Sequence, residues 1–82
     1  MCLAYNNLGR TYEKMNQKSK AMSEYRAALR KCPSNYAEPH FHLAKLLQQR
    51  GMEGARAHFQ KCVEIQPDSS LAERCRQYLQ VQ

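Results

Sequence analysis

Residues 3–33 read LAYNNLGRTYEKMNQKSKAMSEYRAALRKCP, and this stretch decides the fold. Its apolar residues Tyr5, Leu8, Tyr12 and Met15 recur three or four positions apart, as one face of an α-helix requires. Asn16-Gln17 is a poor continuation and predicts a turn. A second helix over 18–31 repeats the pattern through Ala21, Tyr25, Ala28 and Leu29. Two helices joined by so short a turn must lie antiparallel, side by side. Gly9 sits inside the first of them, where it costs about 1 kcal/mol against alanine. That cost is recovered if the partner helix comes too close for a side chain, with Ala21 and Ala28 expected opposite.

The same residues then recur. Ala21, Tyr25, Ala28 and Pro33 are followed by Ala55, Phe59, Cys62 and Pro67, each 34 positions further on. Self-similarity at this period is the signature of a solenoid built from stacked helical hairpins. Cys32-Pro33-Ser34-Asn35 should end the second helix, since proline has no N–H and disfavours a helical residue before it. A third helix is expected from Tyr36 or Ala37, with Pro39 in its first turn and Gly51 as its stop. His40, Leu43, Ala44 and Leu47 would be its buried stripe. A fourth helix is predicted from about Glu53 to Ile65, through Ala55, Phe59, Cys62 and Val63.

The last segment opens on Asp68, Ser69 and Ser70 as candidate N-caps. Leu71, Cys75, Tyr78 and Leu79 form its apolar stripe. Glu73, Arg74, Arg76, Gln77 and Gln80 would face water, the profile of a capping helix. The first helix looks unfinished by comparison, with nothing to cover Met1, Cys2 and their neighbours.

These residues resemble the tetratricopeptide repeat, whose signature is an aromatic, Leu-Gly, an aromatic, then Ala, an aromatic, Ala and Pro. Tyr5, Leu8-Gly9, Tyr12, Ala21, Tyr25, Ala28 and Pro33 supply all of it. His40, Leu43-Ala44, Leu47, Ala55, Phe59, Cys62 and Pro67 supply a looser copy, offset by a one-residue insertion before Leu43 and a one-residue deletion in the Gly51–Ala55 turn. The resemblance implies an all-α, right-handed superhelix of about five helices forming one domain over 1–82. Its first repeat would span 2–35, its second 36–67 and its capping helix 68–80.

It also implies a protein-interaction surface: a concave groove, lined by the first helix of each hairpin, that holds an extended or helical segment of a partner. The groove positions carried over are Leu3, Asn6, Asn7, Arg10, Glu13 and Lys14, then Glu38, Phe41, His42, Lys45, Gln48 and Gln49. Amides suit a peptide backbone, Phe41 offers an apolar contact, and Arg10, Lys14 and Lys45 favour acidic groups. His42 interrupts the asparagine ladder that Asn7 would begin. The family's carboxylate clamp is not supported, because Arg10 and His42 stand where it needs asparagine.

Composition narrows the remaining classes. The chain has 82 residues, 43% of them hydrophobic and 24% charged, which suits one small globular domain rather than a disordered chain. No apolar run could span a bilayer and none reads as a signal peptide, so a cytoplasmic domain without membrane contact is expected. Of the net charge of +6, +4 falls within 16–32, on the helix assigned to the outer face, where it serves solubility. A nucleic-acid reader would carry its charge along the repeats, so nucleic acid is not an expected partner. Cys2, Cys32, Cys62 and Cys75 lie far apart and are expected as free thiols.

His40 and His42 point in different directions and cannot share a metal. His58 and Cys62 could reach one ion, but Cys62 belongs to the core pattern and no further ligand is evident. No nucleophile–base pair, phosphate loop or paired-carboxylate site appears, so neither catalysis nor a cofactor is expected. The alternative to a peptide groove is the end of a longer superhelix, acting structurally or self-associating through its bare first helix.

Overall fold

A computed structural model describes residues 2–32 and 36–80, apart from the side chain of Cys2. Met1 and the Pro33–Asn35 stop therefore lie outside the described residues. The described residues form five helices: α1 (Cys2–Lys14), α2 (Lys18–Lys31), α3 (Glu38–Gln49), α4 (Ala55–Ile65) and α5 (Ser70–Gln80). Each packs on its successor, while α3 also touches α1 and α5. The result is a tetratricopeptide-like stack of antiparallel helical hairpins, with α3 at its centre.

The turns after α1 and α3 close in the same way. Asn16 adopts φ 60° and Gly51 φ 66°, both left-handed, one after α1 and the other after α3. In each case the next residue reaches back five positions, Gln17 N–H to the Tyr12 carbonyl (2.8 Å) and Met52 N–H to the Leu47 carbonyl (2.9 Å). Asn16 N–H and Gly51 N–H close the inner bonds to Glu13 and Gln48 at 2.9 and 3.1 Å. This double closure satisfies the last carbonyls of a helix and needs a residue that tolerates positive φ. The fourth helix starts two residues later than the expected Glu53, because Gly54 at φ 101° holds a non-helical backbone directly before Ala55. The third starts at Glu38, with Pro39 in its first turn as expected. At the start of α5 the cap is Ser69, whose Oγ accepts from Ala72 N–H at 3.0 Å.

Two clusters make the core. Ala21, Met22 and Tyr25 of α2 meet Leu43, Leu46 and Leu47 of α3 between the hairpins. On the other side of α3, Phe41 and Ala44 meet Phe59 and Cys62 of α4 and Cys75 of α5. Phe59 stacks on Tyr78 at 4.7 Å between centroids, and Phe41 meets both edge-on at 6.5 and 6.0 Å. Such pairs contribute about 0.5–1.5 kcal/mol each beyond their burial, and here they hold α5 in place.

Three expectations are corrected. Leu8 and Met15, assigned to the packed stripe of α1, are 41% and 55% exposed. The face that α2 and α3 cover is the one bearing Asn6 and Gly9, about a third of a turn away. Opposite Gly9 stands the Tyr25 ring rather than Ala21 and Ala28. Cys62 and Cys75 are not thiols but a disulfide joining α4 to α5, with Cα atoms 6.4 Å apart, inside the range a bridge requires. Cys32 is not a free thiol either.

Candidate functional site

Where α1 and α3 run alongside each other, the interface is polar. Asn6, 1% exposed, donates through Nδ2 to Glu38 Oε1 at 3.0 Å, while its Oδ1 has no partner. Tyr25 donates its hydroxyl from α2 to Glu13 Oε1. Between the two carboxylates lies His42, with Nδ1 4.0 Å from Glu13 and Nε2 3.7 Å from Glu38, too far for hydrogen bonds. Its ring stacks on Tyr25 at 5.2 Å, inclined by 15°.

Burial dominates the electrostatics of this strip. It pushes His42 below the ordinary histidine range, with Lys45 adding to the effect and Glu13 and Glu38 opposing it. Burial and the bond to Glu13 push the Tyr25 phenol well above its usual value. Tyr36 is raised too, by burial and then by Glu38. His42 is therefore a neutral ring at physiological pH, and the positive character of the surface comes from elsewhere.

It comes from a depression of about 270 Å³ lined by Arg10, Glu13, Lys14, Phe41, His42, Lys45 and Arg74. Four cations from α1, α3 and α5 face one carboxylate, and that carboxylate already accepts the Tyr25 hydroxyl. Phe41 is the floor. The Lys45 ammonium lies 4.9 Å and the Arg74 guanidinium 5.0 Å from its ring centroid. Both distances are within reach of a cation–π attraction, which fixes two otherwise mobile charges.

Of the expected groove residues, Arg10, Lys14, Phe41, His42 and Lys45 come together here. Phe41 is only 1% exposed, so it supports cations rather than presenting an apolar surface. Asn6 points inward to Glu38, and its amide is buried away from the surface. Asn7 is exposed, and its carbonyl accepts from Thr11 Oγ1 at 3.1 Å. Gln48 and Gln49 are exposed, and Gln48 lines a different depression with Gly51 and Arg56. Leu3 is exposed as well. Arg74 is exposed, as expected, and it also joins the depression, because its spacing of four from Tyr78 puts both on one helical face. That spacing was the available signal.

Residues 2–35 match the family model for the tetratricopeptide repeat. The first hairpin is a tetratricopeptide repeat. The matched residues include both helices of that hairpin, and the repeat's aromatic, Leu-Gly and Ala positions are those of α1 and α2. Tetratricopeptide repeats mediate protein–protein interaction. No curated protein matches the chain. No helix among the described residues is long and apolar enough to cross a membrane.

Proposed function

We propose that the chain is an interaction module of two consecutive tetratricopeptide repeats, 2–35 and 36–67, closed by a capping helix over 68–80. Its partner is an acidic peptide segment held in the depression between α1, α3 and α5. The observation that carries this reading is the convergence of Arg10, Lys14, Lys45 and Arg74 around one carboxylate that is already engaged. Opposed charges across an interface raise the association rate and exclude basic competitors. The Cys62–Cys75 bridge favours an oxidising compartment over the cytoplasm.

Arg10→Glu combined with Lys45→Glu is expected to weaken binding of an acidic peptide about tenfold or more. The helical circular dichroism signal should stay intact, since both side chains lie at the surface of the depression. Fluorescence anisotropy with a labelled Glu-rich peptide reads the affinity. Equal affinity in the variant and the parent protein would move the site elsewhere.

A second reading is favoured by the exposure of Leu8 (41%) on α1 and of Met15 (55%) just past its end, seven positions apart and so on one side. Such an apolar strip suits a neighbouring helix, from a longer superhelix or a second copy of the chain. If copies pair through it, the sedimentation-average mass should rise with concentration. Leu8→Lys with Met15→Lys should then remain a monomer. A parent protein that stays monomeric at high concentration removes self-association.

A further inference from the structure

Away from the depression, α3 and α4 bring two imidazoles together. His40 Nδ1 and His58 Nδ1 are 2.9 Å apart, and the rings incline by 33° with centroids at 5.1 Å. Both are half-buried. The pair joins residues 18 positions apart on different helices, which is why neither His40 with His42 nor His58 with Cys62 revealed it. Cys62 is bound to Cys75 and is unavailable.

We propose that His40 and His58 form an open two-imidazole site for a divalent transition-metal ion of the Zn²⁺ or Cu²⁺ type. Metal–nitrogen bonds of about 2.0–2.1 Å place two cis nitrogens roughly 2.9–3.4 Å apart. The two Nδ1 atoms already stand at the near edge of that range. Imidazole suits both ions, and copper(II) binds such ligands more tightly than zinc. Among the described residues no three His, Cys, Asp or Glu side chains cluster to hold an ion. Water therefore completes the coordination, and the site is exchangeable rather than structural.

The proton balance is simple. In the apo pair one ring donates its Nδ1–H to the bare Nδ1 of the other. When the ion binds, the donor ring moves that proton to its Nε2 through water, so both Nδ1 lone pairs face the metal and no proton is released. Burial and the neighbouring cations hold both rings in the neutral form that ligates a metal: Lys61 acts on His40 and Arg26 on His58. The same cations oppose a bound ion. Lys61 is partly offset by Glu64 at 3.8 Å, and Arg26 is exposed, so its long side chain can turn toward water.

The experiment uses the full chain after chelator treatment. Zn²⁺ is titrated by calorimetry and followed by NMR of the imidazole nitrogens. One equivalent should bind, shifting the His40 and His58 resonances and leaving His42 in place. His40→Gln and His58→Gln should each reduce affinity at least tenfold. Lys61→Gln should leave it unchanged or raise it two- to threefold. The resonance shifts on the unaltered chain keep the test independent of whether the variants fold. Wild-type affinity in both glutamine variants would overturn the site, as would shifts centred on His42 or no binding at millimolar Zn²⁺.

Discussion

Gly9→Ala is expected to lower the stability of this domain by about 1 kcal/mol, although alanine is the better helix former. The added Cβ would stand 2.6, 2.8 and 2.9 Å from Cε1, Cδ1 and Cζ of Tyr25. An aromatic ring can sometimes swing away from such a clash. This one cannot do so cheaply. Tyr25 is fully buried, its hydroxyl is held by Glu13, and its face is stacked on His42. Overpacking a site of this kind costs about 1–3 kcal/mol, against a helix-propensity gain of about 1 kcal/mol. For a domain of this size the melting temperature should fall by roughly 4–8 °C per kcal/mol lost.

The sign depends on one contact, so a double-mutant cycle tests it directly. In a Tyr25→Ala background the space opposite Gly9 is empty, and Gly9→Ala should there stabilise by about 1 kcal/mol. Destabilisation of similar size in both backgrounds would mean that the tyrosine is not the reason for the glycine.

Gly9 also shows how far the sequence could be read. A glycine inside a helical pattern announces a close approach, and the approach is there. What comes close was misread, because the small residues Ala21 and Ala28 invite a backbone-to-backbone picture while the tyrosine between them fills the gap. The helices themselves were legible for local reasons: three-and-four spacing, the left-handed turns at Asn16 and Gly51, and proline in the first turn of α3. The faces of α1 were not. Which side is covered depends on α3, whose Glu38 reaches Asn6 across 32 positions of sequence. No local pattern carries that information. Phe41 is a similar case, since α5 covers it with Tyr78 and Arg74. A family groove position thus became the floor under two cations.

The cysteines mark the largest departure from the sequence reading, and they carry the second large effect. Replacing both Cys62 and Cys75 with alanine should lower stability by about 3 kcal/mol, the chain-entropy value for a bridge closing a loop of about 15 residues. The two are 13 positions apart, α4 and α5 being successive helices. The domain should nevertheless keep its fold. Phe59 still stacks on Tyr78, and Leu71 and Leu79 still pack against the same cluster. The loss should therefore appear chiefly as easier local opening of α5, with its amides exchanging faster than those of α2 and α3. Because Arg74 adjoins Cys75, acidic-peptide affinity offers a second readout, and it should weaken as α5 loosens. Alkylation without reductant, followed by peptide mass analysis, decides the premise. A linked Cys62–Cys75 peptide supports the bridge. Two alkylated thiols in the native protein, with an unchanged melting temperature in the alanine pair, would return these cysteines to the role of small apolar core residues.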